Sequence, residues 1–77
     1  MLSVYILVKT RIGEAASVAR SLREVAGVVS ADAVIGPYDV VVQAKVDDAR
    51  SLGRLVAFDV HAAPGVVDTL TCLTMEV

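Results

Sequence analysis

The sequence lacks most of the residues from which catalytic and metal sites are commonly built. Its 77 residues include one cysteine, one histidine and no tryptophan. A single thiol cannot form an internal disulfide, and because Cys72 lies in an apolar strand pattern, we expect it to be a buried small hydrophobe. The motifs G-x-x-x-x-G-K, G-x-G-x-x-G, C-x-x-C and H-E-x-x-H are also missing, so nothing indicates a nucleotide, dithiol or zinc site. We expect no cofactor and no metal.

Positive charge and long apolar segments are scarce as well. Seven basic residues are scattered against nine acidic ones, giving a net charge of −2 and an isoelectric point near 5.1, so we expect no direct binding to nucleic acid. No apolar run reaches the ~18 residues that a membrane helix needs. The N-terminus shows no basic segment followed by an apolar core, which an export signal would require. These features predict a cytoplasmic protein without membrane association.

Apolar residues, in contrast, are abundant and regularly spaced. Hydrophobic residues make up 56% and charged residues 21% of the sequence, which predicts one folded domain over residues 1–77. Strand-like runs alternate with two segments in which apolar residues recur every three or four positions. The predicted elements are strands Leu2–Lys9, Val28–Ile35, Val40–Val46 and Val66–Val77, a helix from Glu14 to Ala26, and a second helix that follows Asp47 and ends at Pro64-Gly65.

The order β-α-β-β-α-β predicts an α+β, ferredoxin-like fold, in which a four-stranded antiparallel sheet carries both helices on one face. Gly27 is expected to end the first helix, and Asp47 is expected to be the N-cap of the second. The predicted inward stripe of the second helix consists of Ala49, Leu52, Gly53, Val56, Val60 and Ala63.

Both faces of the predicted strands are apolar, although two short helices can cover only one of them. In the first strand, Leu2, Val4, Ile6 and Val8 oppose Tyr5 and Leu7, and in the fourth, Val66, Leu70 and Cys72 oppose Val67, Leu73 and Met75. A soluble monomer rarely exposes so large an apolar patch. We therefore expect the uncovered face to pack against the same face of a second copy, which gives a homodimer and, we predict, a higher oligomer.

Polar residues that could bind a ligand are concentrated in the stretch G-P-Y-D, Gly36 to Asp39. Pro37 cannot occupy the positive-φ positions of a tight hairpin turn, so a longer or bulged loop is expected. Asp39 either hydrogen-bonds its own turn, with Tyr38 packed over it, or presents its carboxylate to a small ligand. Thr69 and Thr71 share one face of the fourth strand, where threonine is common without any function.

The only histidine, His61, follows Asp59 by two residues, a spacing at which side chains diverge on an α-helix. Phe58 precedes His61 by three residues, so the two are expected to meet on the outward side of the second helix. This pattern fits a surface pair and also fits a general base, and the spacing alone leaves both interpretations open.

Three stretches taken together resemble a known family: G-P-Y-D-V-V-V over 36–42, L-G-R-L over 52–55, and A-P-G-V-V-D-T-L-T over 63–71. The pattern is similar to the effector-binding domain of the Lrp/AsnC (leucine-responsive) transcription regulators, also called the RAM domain. The similarity runs over essentially the whole chain, and the pair G-x-Y-D and P-G-V-x-x-T-x-T carries most of its specificity.

This resemblance implies a ferredoxin-like domain that dimerises through its sheets, assembles further, and binds an amino acid in clefts between dimers. It implies ligand-binding roles for Gly36, Tyr38, Asp39, Thr69 and Thr71. Full-length regulators of this type carry an N-terminal helix-turn-helix, whereas this sequence starts at its first strand. It therefore resembles a stand-alone effector domain, with a full-length regulator as a candidate partner.

Two other functions stay open. A cofactor-free enzyme of the dimeric ferredoxin-like barrel type, similar to a monooxygenase or isomerase, would use His61 or Tyr5 as acid–base groups in a cavity between sheet and helices. A purely structural oligomerisation module would need no site. The single histidine and the few inward polar residues weigh against the enzyme, so we predict a sensor without catalytic activity.

Overall fold

The six elements form in the predicted order, in a computed structural model that describes residues 1–75. Their bounds are β1 Leu2–Thr10, α1 Ala15–Arg23, β2 Val28–Ala33, β3 Val40–Val46, α2 Ala49–Arg54 and β4 Val66–Leu73. Helix α2 continues directly into a π-helical segment, Leu55–Val60. All strand pairs are antiparallel in the order β2-β3-β1-β4, which confirms the ferredoxin-like fold. Within residues 1–75, no helix has the length and apolarity needed to cross a membrane.

One face of the sheet is sealed by the helices. Alternate residues of β1 are fully buried there, because side chains of a strand point to its two faces in turn. Each fully buried aliphatic side chain stabilises the fold by ~1.5–3 kcal/mol. The buried residues are Val4, Ile6, Val8, Ala31, Val40, Val42 and Ala44 from the sheet and Val18, Ala19, Leu22, Leu55 and Val60 from the helical layer.

Three elements end earlier than the sequence predicts. Helix α1 stops at Arg23 instead of Ala26 because the chain tightens into i→i−3 bonds, such as Val25 N to Leu22 O at 3.2 Å, and then turns at Gly27, whose φ is +94°. Strand β2 stops at Ala33 because the loop closes immediately after it. Strand β4 ends at Leu73, and the predicted extension over residues 76–77 lies outside the described residues.

The N-cap of α2 is Asp48, so the prediction of Asp47 is wrong. Asp48 Oδ1 accepts a hydrogen bond from the Ser51 amide at 2.8 Å. An N-cap side chain bonds the amide two or three residues further on, and the first turn begins one residue later than the pattern suggests. The Ser51 amide bond also lowers the pKa of the Asp48 carboxyl below its ordinary value.

The inward stripe of the second helical segment differs from the prediction because the α-helical period does not persist. His61 N donates to Val56 O at 2.8 Å, an i→i+5 bond that widens the turn. This wider turn brings Leu55 and Val60, five residues apart, to the buried side. The predicted inward residues Ala49 and Gly53 are exposed instead.

A β-bulge decides which side chains of β4 face the helices. The register with β1 shifts at the start of β4, leaving Val67 as the extra residue, so the residues before and after it lie on opposite faces. Val66 packs against the core, whereas Leu70 and Cys72 lie on the side without helices. The prediction that these three share one face is wrong. Cys72 is exposed in the single chain, not buried as predicted.

The sheet face without helices, called the free face below, is largely apolar at its centre. Leu7 pairs with Val41 on one side and Leu70 on the other, and Tyr5 pairs with Cys72. Tyr5 and Leu70 are 42% and 48% exposed. The apolar residues of the free face are Tyr5, Leu7, Val41, Leu70 and Cys72.

Candidate functional site

Asp39 fastens the β2–β3 loop to the end of β1. Its Oδ2 accepts a hydrogen bond from the Thr10 amide at 2.8 Å. Its own amide donates to the Val8 carbonyl at 2.9 Å, and its carbonyl accepts from the Val34 amide at 2.9 Å. The side chain therefore bonds another strand, not its own turn. Because a carboxylate has about four acceptor positions, this half-buried group is held in place without being saturated.

Tyr38 and Lys9 lie beside this carboxylate. The Lys9 Nζ is 5.7 Å from the centroid of the Tyr38 ring, a distance typical of a cation–π contact. Gly36 is exposed, and a Cβ added there would meet no atom within 4 Å, so packing does not require glycine at this position. The edge of the sheet where β1 ends thus presents a carboxylate, an aromatic ring and an ammonium group together.

Thr69 and Thr71 lie on the other side of β1, where they pair with Val8 and Ile6. Their side chains belong to the helix-covered side of the sheet, near its edge. The Thr69 hydroxyl is 3.4 Å from His61 Nδ1, which joins β4 to the end of the π-helical segment. Thr71 is exposed.

Strand β1 separates these two groups within one chain. Two strand spacings of roughly 4.8 Å place Asp39 and Thr69 about 10 Å apart. Asp39 is held by the Thr10 amide at the end of β1, whereas the two threonines belong to the edge strand β4. The structure brings Gly36, Tyr38 and Asp39 together and keeps Thr69 and Thr71 apart from them.

The residues that an enzyme would use do not converge. Tyr5 lies on the free face, whereas His61 contacts Thr69 on the opposite side of the sheet. Within residues 1–75 no polar or charged side chain is buried, so the space between sheet and helices is an apolar core. The same residues contain no group of three His, Cys, Asp or Glu side chains arranged to hold a metal.

Sequence reasoning missed two groups at this edge, the Lys9 ammonium and the Thr10 amide. Lys9 is the only charged residue of β1 and directly follows its apolar run. That position could have identified Lys9 as a candidate site residue from the sequence. The bond from Thr10 to Asp39 joins residues 29 positions apart and left no such signal.

Comparison with known families gives one match. The Lrp/AsnC ligand binding domain matches over residues 3–77. No curated protein matches the chain by sequence.

Solved structures share the fold. TTHA0845 from Thermus thermophilus is 25% identical with a TM-score of 0.93, over 100% of this chain and 96% of that one. The transcriptional regulator NMB0573 from Neisseria meningitidis, in complex with L-Met, is 26% identical with a TM-score of 0.85, over 97% of this chain and 50% of that one. AsnC of E. coli, at 13% identity, has a TM-score of 0.90 over 99% of this chain and 52% of that one.

Proposed function

The chain belongs to the Lrp/AsnC ligand binding domain family, and on that premise we propose that it is an amino-acid-sensing and oligomerisation module that binds its ligand without transforming it. The observation that carries the proposal is the half-buried Asp39 carboxylate, oriented by Thr10 and flanked by Tyr38 and Lys9. The Neisseria meningitidis regulator, a complex with L-Met, supports a small amino acid as the effector. Such a module acts in the cytoplasm, where transcription regulators work.

The ligand's ammonium group binds Asp39. One carboxylate oxygen, Oδ2, already accepts from the Thr10 amide, which orients the side chain and leaves Oδ1 for a charge-assisted bond. The exposed loop at Gly36 leaves room for the ligand, and the Tyr38 ring forms the wall of the cleft.

The ligand's carboxylate needs donors that one copy of Asp39 and its neighbours supply only in part. Lys9 lies on the same edge, whereas the hydroxyls of Thr69 and Thr71 lie beyond β1. A second copy that brings its own threonines to this edge completes the cleft. Ligand binding and assembly are then coupled, because the site exists fully only between copies.

Dimerisation uses the free face. Leu7 stands at its centre between Val41 and Leu70, and two such faces packed together exclude water from side chains that are partly exposed in the single chain. A small domain gains much of its stability from such a contact. Higher assembly of these dimers creates the clefts between them.

The test of the ligand site is calorimetry with each of the twenty amino acids, followed by titration of the tightest-binding one into the Asp39→Asn variant. The carbonyl oxygen of the introduced asparagine still accepts from Thr10, so the loop keeps its anchor, but the negative charge is lost. A charge-assisted bond is worth ~1.5–3 kcal/mol, so affinity should fall by about 10- to 100-fold. Asp47→Asn, the same loss of charge at an exposed position before α2, is the matched control and should bind normally.

Unchanged affinity in Asp39→Asn, or no amino acid binding to the wild type, refutes the ligand site. The Asp39→Ala variant separates the two roles of the residue: it removes the anchor as well, so it should also lower thermal stability, which Asp39→Asn should not.

We propose as the partner of this module a full-length, DNA-binding regulator of the same family. The purified chain, with an isoelectric point near 5.1, binds no specific DNA alone, whereas a mixture with such a regulator forms mixed assemblies. Co-purification of tagged and untagged chains tests this. A sequence-specific footprint from the purified chain alone contradicts it.

A further inference from the structure

The outer surface of the helical layer carries an aromatic side chain that the fold does not use. Phe58, the only phenylalanine in the sequence, is 74% exposed. Together with Arg54 and Asp59 it lines a shallow cleft of about 340 Å³. None of these three residues belongs to the proposed ligand site around Asp39 or to the free face, so the proposed function leaves this surface unexplained.

The π-helical segment explains why these side chains share one side. On an α-helix, residues five apart point roughly 140° away from each other. The i→i+5 turn closed by His61 N and Val56 O instead stacks positions five apart. This stacking buries Leu55 with Val60 and places Arg54 beside Asp59 on the outside.

Gly53, one turn before Phe58 on the exposed side, is a second unexplained feature. Glycine destabilises a helix interior, and here its φ is not in the left-handed region and a Cβ would meet no atom within 4 Å. No contact within the described chain accounts for it. A helix that approached closely from outside would account for it, because a side chain at Gly53 would hold that helix away.

We propose that this surface, defined by Gly53, Arg54, Phe58 and Asp59, is a second self-association site that binds the same surface of another copy across a two-fold axis. A two-fold contact pairs residue i with j and j with i. One positive and one negative charge beside an exposed aromatic satisfy this rule, because Arg54 of each copy meets Asp59 of the other while the Phe58 rings are buried between them. Aromatic and arginine side chains are also the typical anchors of interfaces. This inference does not rest on the ligand site or on the free face.

Charge reversal tests the pairing by sedimentation equilibrium. In a two-fold contact each single substitution, Arg54→Asp or Asp59→Arg, creates two pairs of like charges, one at each end of the contact. Each variant should therefore associate through this surface about 100-fold more weakly. The double variant should recover the wild-type mass. An equimolar mixture of the two single variants should also associate, because every acid of one then faces a base of the other.

Mixing the two single variants is the decisive measurement. If Arg54 and Asp59 paired only within one helix, the single variants would keep the wild-type mass and their mixture would form nothing new, and this result overturns the proposal. Phe58→Ser, at an exposed position, should keep the circular dichroism spectrum and lose the same association step; an unchanged mass also overturns the proposal. Amino-acid affinity measured on the same variants separates failure here from failure of the ligand site.

Discussion

The two faces of the sheet are built from the same kinds of residues but differ in surroundings. On β1, Ile6 and Leu7 are neighbours of nearly equal size, yet Ile6 is fully buried beneath the helices while Leu7 lies on the free face, partly exposed. Apolar character therefore does not distinguish a position covered by the helices from an uncovered one in this chain. The difference lies in which face the two helices cover.

This comparison separates folding from assembly. Residues of the helix-covered face are buried within one chain, so their contribution to the free energy of unfolding is independent of protein concentration. Residues of the free face are buried only when a second surface binds there, so their contribution to stability depends on protein concentration. Substituting adjacent residues of one strand should consequently disturb two different equilibria.

The largest effect is expected from Ile6→Asp. It puts a carboxylate among fully buried side chains that offer no polar partner, which costs more than about 4 kcal/mol and should abolish cooperative unfolding. Circular dichroism with urea titration measures this. A folded Ile6→Asp variant of near wild-type stability would show that the assignment of the covered face is wrong.

The adjacent change, Leu7→Asp, should leave the chain folded and weaken dimerisation by about 2 kcal/mol or more, as expected for the centre of an interface. Sedimentation velocity over a concentration series is the measurement. Arg20→Asp, a charge change at an exposed position of α1 and therefore on the other side of the sheet, serves as the control and should keep the dimer. If Leu7→Asp sediments like the wild type, the free face is not the dimer surface.

A smaller loss of stability is expected from removing the N-cap of α2, Asp48. Asp48→Ala removes the bond to the Ser51 amide and should lower the melting temperature, whereas Asp47→Ala, which caps nothing, should not. Because hydrogen bonding lowers the Asp48 pKa in the folded state, the charged form favours folding. This contribution is present above the ordinary carboxyl pKa and is lost as pH falls through the folded pKa. The gap between wild type and Asp48→Ala should therefore narrow in acid, and a constant gap would contradict this account.

The smallest effect, and the only stabilising one, is expected from Gly53→Ala. Alanine is favoured over glycine in a helix by up to about 1 kcal/mol, and a Cβ fits without contact at Gly53. Urea titration of a dilute sample should show a higher midpoint. A lower midpoint would mean that the glycine serves the fold of the single chain instead of the outer surface.

Much of this molecule could be predicted because its signals are local. The order of elements, the antiparallel sheet and the role of G-P-Y-D as a loop all follow from spacing and turn chemistry within a few residues. Two of the wrong or open assignments involve residues that are distant in the sequence. Asp39 takes its donor from Thr10, and the bulge at Val67 reverses the faces assigned to the start of β4.

The sequence predicted which residues form the candidate site but not how they are arranged in space. Gly36, Tyr38 and Asp39 are adjacent in sequence and lie together in the fold, and their binding role remains a prediction. Thr69 and Thr71 carry the family pattern, but β1 separates them from Asp39. No periodicity can reveal such a separation, since it depends on the strand order of the sheet.

Local patterns in the sequence suffice to predict a ferredoxin-like fold with more apolar strand surface than two helices can cover, because period-two and period-three-to-four patterns encode local geometry directly. The folded chain alone sets which face is covered, where the register of β4 shifts, and which backbone amide holds Asp39. These outcomes depend on pairing between segments far apart in the chain, and the free energy of such pairing is a sum over partners that no local window contains.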